Sequence, residues 1–258
     1  MVKKIFALLF MFGGTAYGAG GAKFINYFDL ILLKAGVSDV HTRGEWIPVL
    51  AALFSLMVLA VVGLKYRAAV SRAGDDVMPE GHFSLKGLVE TIFDFITNLA
   101  KDVIGADSYK PYLPLLTGIF CFIFVSNLSG LVPGLFPATD SINTNLAMGL
   151  SVFVIYNIAG AKEHGFSYIK QFLGPVLFLM PLMFVIEVVA HVARPVSLSL
   201  RLLGNIFGDH LVLSVFTSLT HFGAFFLLFF GLLVASIQSF VFTLLSSIYI
   251  SMAISHDH

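Results

Sequence analysis

The sequence predicts an all-α membrane protein with five membrane-crossing helices and one amphipathic surface helix. Three observations predict it. Of 258 residues, 58% are hydrophobic and only 12% are charged, about half the charge content of an ordinary soluble domain. The apolar residues form long continuous runs, not the two-residue alternation of barrel strands. Lys and Arg gather at ends of those runs that a single topology places in the cytoplasm. The 15 basic and 15 acidic residues cancel, so nothing in the charge draws a nucleic acid. Cys121 is the single cysteine and sits in an apolar run. It reads as a packing residue, and one cysteine builds no disulfide within a chain.

The N-terminus has Lys3 and Lys4, an apolar run, and then small residues ending in Ala16-Tyr17-Gly18. Residues 1–18 read as a secretory signal peptide, with an uncleaved anchor as the alternative. Either way the chain that follows starts outside the cytoplasm. Residues 19–258 are expected to form one polytopic membrane domain. Its first span covers about 46–64, with Trp46 at an interface and Lys65, Arg67 and Arg72 marking a cytoplasmic end. Residues 71–82 are polar and turn-rich, a surface loop. Residues 83–104 carry Lys86, Glu90, Asp94, Lys101 and Asp102 among apolar residues at helical spacing, the pattern of an amphipathic helix lying on the cytoplasmic surface. The second span covers about 112–131. The loop 132–142 holds no Lys or Arg, which suits the outside. The third span covers 144–161, and Lys162 and Lys170 mark a second cytoplasmic loop. A long segment, 174–220, is apolar but studded with charges and broken by Pro195. A last apolar stretch, 222–253, ends in a polar tail. Five crossings put the N-terminus outside and the C-terminus inside.

The long segment carries the chemistry. At about 100° per residue, Glu187, His191, Arg194, Arg201, Asn205 and Asp209 fall within an arc of about 80°. His210, Ser214, Thr217 and His221 form a second polar stripe roughly opposite. Intramembrane ionisable groups normally face a cavity, a partner or each other. Glu187 and His191, four apart, can satisfy one another, and Arg194 beside Pro195 can snorkel or cap carbonyls. The EVVAH stretch at 187–191 is not HExxH and has no obvious third ligand, so it makes no metal site. Arg201 is different. It stands in SLSLRLLGNI with apolar neighbours on both sides, and it cannot shed its proton. Holding it at mid-membrane costs about 2.5–3.5 kcal/mol on the insertion scale. Its partner is expected from outside the segment.

The last stretch has no charge but holds Gln238. Gly231 and Tyr249 fall within about 20° of it on a helical count. Ser236, Ser239, Thr243, Ser246 and Ser247 lie on another side and suit helix packing. Gln238 can orient a guanidinium through its carbonyl oxygen without neutralising it.

RPVSLSLRLLGN at 194–205, a polar residue at 210, and IQSFVFTLLSSIYISMA at 237–253 together resemble subunit a of F-type ATP synthases. SNLSGLVPG at 126–134 and DSINTNLAM at 140–148 are similar to the family's first outer-loop region. The resemblance covers about 46–253. It implies that the last two long helices form a tilted hairpin against a rotating ring of c subunits. It implies that Arg201 is the essential arginine, with Asn205, His210, Gln238, Glu187 and Asn127 as polar positions around it. It places Glu187 near the outer access path, where Asp209 could join it. The partners implied are a c-ring carboxylate opposite Arg201, b-type peripheral stalk subunits, indirectly the F1 sector, and membrane lipid; the signal-like start points to a bacterial inner membrane. No cofactor is implied. Two positions depart from the commonest bacterial pattern: His210 stands where many members have Glu, and Gly231 where such members often have His. Gly130 stands where some members are acidic.

The expected function is therefore a proton-translocating stator with two offset half-channels, not itself an enzyme. His210, Ser214 and His221 are expected to serve the outer path. A stand-alone transporter with an anion site at Arg201 and Arg194 is the competing class. An intramembrane enzyme built on Glu187, His191 and Arg194 lacks a nucleophile or metal set. The chain has no GxxxxGK[ST] phosphate loop, so nucleotide chemistry belongs to a partner.

Overall fold

The computed structural model describes residues 26–73, 85–132, 134–165, 180–219 and 223–255. The expected signal peptide at 1–18 and His221 lie outside the described residues. Among those described, the chain is helical and without strands: α1 Tyr27–Lys34, α2 Val40–Ala73, α3 Leu85–Ile104, α4 Leu113–Gly130, a 3-10 turn Ala138–Asp140, α5 Ile142–His164, α6 Met180–Leu219 and α7 Gly223–Ile254. Five helices are long and apolar enough to cross a membrane: Val40–Ser71, Leu113–Gly130, Ile142–His164, Pro181–Gly208 and Phe229–Ile254. Three of them are shorter than the apolar stretches read for them from the sequence, whereas Val40–Ser71 and Ile142–His164 outrun theirs. The apolar run marks the hydrocarbon layer, whereas backbone hydrogen bonding carries the helix on past it.

The helix ends follow local chemistry. Asn26 caps α1, its Oδ1 accepting from Phe28 N–H at 2.9 Å. Gly36 closes it at φ +90°, with Gly36 N–H and Val37 N–H donating to the carbonyls of Leu33 and Leu32, a conformation that glycine adopts without Cβ strain. Asp39 opens α2: its Oδ2 accepts from Thr42 Oγ1 at 2.6 Å and Thr42 N–H at 3.2 Å. These bonds, the Thr42 hydroxyl foremost, hold the Asp39 carboxyl below its ordinary value. In α3, Ile96, Ala100 and Ile104 are buried at four-residue spacing while Asp94, Lys101 and Asp102 are exposed. This is the two-faced helix that the sequence predicts over 83–104.

The break expected at Pro195 does not end the helix, for α6 runs through it. Proline deprives the His191 carbonyl of its i+4 donor, yet the neighbouring turn is reinforced: Ser199 Oγ donates to Pro195 O at 2.8 Å and to Asn145 O on α5 at 3.0 Å.

The described chain divides into two compact units. One holds the chain up to Leu59, with Cys121–Thr144 and Arg201–Ser239; the other holds Ala60–Phe120, Asn145–Leu200 and the chain from Phe240. The first has a core of Phe28, Ala51 and Ala138 with Ile47, Leu50, Phe54, Phe122 and Leu135 packed round it. The second buries Ile96, Leu116, Val152, Tyr156, Leu198, Phe242 and Ile250. There Phe95 of α3 packs between Phe120 and Phe240, ring centroids 6.3 and 5.7 Å away.

Candidate functional site

In the first unit, α6 and α7 bring Asn205 and Gln238 together. Asn205 Nδ2 donates to Gln238 Oε1. Gln238 is 3% exposed, and its Nε2 is buried without a hydrogen-bond partner among the described residues. Asn205 itself remains exposed.

Arg201, one turn before Asn205, is exposed and makes no ion pair or hydrogen bond with any described residue. Around it lie Ser197, Gly204, Asn205 and Gly208, all within about 100° of helix circumference. A Cβ placed on Gly204 or Gly208 would meet nothing within 4 Å. A charge thus stands on a strip of small residues, the surface that lets another helix approach closely. The side chains of Asp209, His210 and Ser214 lie outside the described part of α6.

Asn127, read from the sequence as a structural polar position, anchors a loop in this unit. Thr139 Oγ1 donates to its Oδ1 at 2.6 Å, and Thr139 N–H donates to Ser126 Oγ at 3.3 Å. These bonds fasten the 3-10 turn to the end of α4. Tyr27 N–H donates to Gly134 O from α1, and Arg43 Nε lies 3.2 Å from Asp29 Oδ1, so α1 is tied both to this loop and to α2. Thr139→Val removes the hydroxyl with little change of shape. We expect it to cost about 0.5–1.5 kcal/mol, read as a lower thermal midpoint of the detergent-solubilised protein.

In the second unit the acidic and basic groups pair differently from the sequence expectation. Glu187 does not satisfy His191. Its Oε1 lies 3.9 Å from Arg194 Nη2, and the Arg194 guanidinium stands over the Tyr249 ring at 5.7 Å, a cation–π contact between α6 and α7. His191 is 8% exposed and turns to α5, its Nε2 2.8 Å from Asn157 Oδ1 and 3.4 Å from Tyr156 OH. Asn157 Nδ2 donates to Phe153 O. Its Oδ1 thus faces the histidine Nε2. The imidazole also sits edge-on between Phe153 and Tyr156, with centroids 5.1 and 5.2 Å away. The sequence reading missed Tyr156 and Asn157. The available signal was a polar amide in the apolar run VFVIYNIAG, since amides inside spans normally cross-link helices.

The serines of α7 are packing groups. Ser239, Ser246 and Ser247 are fully buried and donate to the carbonyls four residues back at 2.8–2.9 Å.

The profile of the ATP synthase A chain family matches residues 49–251. The chain is 45% identical over 213 residues to ATP synthase subunit a of Bdellovibrio bacteriovorus, covering 80% of this chain and 92% of that protein. It is 40% identical over 239 residues to ATP synthase subunit a of Geotalea uraniireducens, covering 91% and 97%. The same-named protein of Sorangium cellulosum is 39% identical over 222 residues, covering 84% and 86%.

Proposed function

Because this multi-pass membrane protein belongs to the ATP synthase A chain family, we propose that it is the proton-translocating stator of an Fo sector, working through Arg201. The supporting observation is that exposed arginine on its small-residue strip, within the span Pro181–Gly208 and without a partner in the described chain. The partner that fits is a carboxylate on each passing c subunit. At about 4 Å such a pair is worth roughly 4 kcal/mol at an effective dielectric of 20. That suffices to ionise the carboxyl and release its proton. It is also small enough to be offset when the next carboxyl arrives, with each proton contributing about 2.3 kcal/mol per 100 mV.

Two offset half-channels then follow from coupling. A continuous path would leak protons without turning the ring. Arg201 stands between the paths as a fixed charge that a proton on its own cannot pass. His210, Ser214 and His221, with Asp209, serve the outer path in this reading. Glu187 fits the inner path better than the outer one that the resemblance suggests. It lies on the second turn of α6, and the chain reaches α6 after Lys162 at the end of α5. The positive-inside rule favours the cytoplasm for this basic helix end, in keeping with an N-terminus outside and a C-terminus inside. The subunit turns over no substrate of its own. The c ring, the b-type stalk and, through them, the F1 sector are its partners in a bacterial inner membrane.

Extraction in mild detergent tests the assignment. The chain should purify with a ring of small helical-hairpin subunits, and proton conduction should require that ring. A solitary chain that carries an anion through Arg201 and Arg194 would overturn it. Gln238→Leu is the graded test. It removes the acceptor for Asn205 and leaves Arg201 its charge, so we expect a two- to tenfold loss of gradient-driven synthesis, the worth of about one net hydrogen bond. A loss as complete as that of Arg201→Ala in an assembled complex would contradict this ranking.

A further inference from the structure

Gly231 and Gln238 share one narrow face of α7, two turns or roughly 10 Å apart. The proposed topology makes the Gly231 end the outer one. Gly231 is buried, and the space where its side chain would stand is occupied. A Cβ there would lie 2.5 Å from Leu131 Cδ2 and within 4.0 Å of Cγ and Cδ1. Leu131 follows the last residue of α4. Its neighbour Gly130 is filled in the same manner, since a Cβ there would lie 3.0–3.2 Å from three ring atoms of Pro137. Pro137, Ala138 and Thr139 are all buried. Their segment is held by the Thr139 bonds to Ser126 and Asn127 and by the core under α1. Leu131 is therefore a tooth on a braced loop, set against bare helix backbone. On the far side of it, along the same face, is the buried and unpartnered Nε2 of Gln238.

We propose that Leu131, seated on Gly231, is a dry seal that keeps outer water from descending this face of α7 to Gln238, so that Leu131 determines the route of the outer path. An apolar constriction excludes water, and a space filled by a methyl group offers no polar partner to hold one. The outer path then reaches Asn205 and Gln238 along α6 instead. A polar amide can be held two turns below the loop without water running straight down to it. The functional meaning rests on the proton-path reading above.

The seal is tested by thiol labelling in the assembled complex. Ala235 is buried and lies between Gly231 and Gln238 on α7. In a Cys121→Ala background, Ala235→Cys is exposed to a small membrane-impermeant methanethiosulfonate added from the outer side. With Leu131 present the thiol should react at least tenfold more slowly than with Leu131→Ala. Refilling the space from the opposite helix, Leu131→Ala with Gly231→Leu, should restore protection, which separates a lost seal from a loosened fold. Equal labelling rates with and without Leu131, or a refilled variant that stays open, would overturn the proposal. Labelling requires no turnover, so its failure leaves the proton-path reading standing. Persistent coupling in Arg201→Ala would remove that reading and leave the labelling result intact.

Discussion

Arg201→Ala is expected to abolish ATP synthesis driven by a proton gradient in an otherwise assembled complex. The guanidinium is the one group on the Ser197–Gly208 strip that keeps its charge at every working pH, and no described residue pairs with it. In the proposed mechanism, removing it forfeits the roughly 4 kcal/mol that ionises an approaching carboxyl, about a thousandfold in the proton-release equilibrium. The proposed barrier between half-channels would go with it. Synthesis should fall to background while passive proton conduction through F1-depleted membranes persists or rises. Arg201→Lys should not restore coupling, because an ammonium is a point charge that deprotonates when desolvated and lacks the forked donors. The measurement is gradient-driven synthesis beside dye-reported proton conduction in inverted vesicles, with ring content checked on the purified complex. Undiminished synthesis by Arg201→Ala with an intact ring would sink the mechanism.

The second large effect is structural. Gly149 on α5 is buried where α5 meets α6, and a Cβ there would stand 2.7 Å from Ser199 Oγ and 2.8 Å from Pro195 O. Neither neighbour yields readily: the Pro195 oxygen is helix backbone, and Ser199 is bonded to it and to Asn145 O. Gly149→Ala should therefore destabilise by about 1–3 kcal/mol through overpacking, and Gly149→Val should prevent assembly. Thermal midpoints of the solubilised complex and its yield in the membrane report this. Pairing Gly149→Ala with Ser199→Ala removes one of the two collisions and should recover only part of the loss. Full recovery would mean that the backbone contact is immaterial.

Much of the fold was legible because the membrane makes polarity expensive. A run such as 112–131 can only be a span, and a charge placed inside such a run stands out against it. Arg201, Glu187, His191, Asn205 and Gln238 were found in that way. The amphipathic helix at 83–104 was found from its period. The short helix Tyr27–Lys34 was not foreseen, although Asn26 and Gly36 are its cap signals, because eight residues make a weak period. Nor was the true partner of His191. Glu187 stood at the right spacing on the same helix, but Asn157 on α5 had the better geometry.

From the residues alone it follows that this protein crosses a membrane, about where it does so, and that an arginine lies inside one of its apolar runs. Those facts rest on transfer free energies, which each residue carries wherever the chain folds. The tertiary structure alone decided that Asn205 meets Gln238, that His191 meets Asn157, that Asn127 braces a loop, and that Leu131 fills the space at Gly231. In lipid one apolar side chain is as soluble as another, so the register between helices is set by shape at close range. Shape of that kind is a property of two surfaces together, and neither strand of sequence carries it alone.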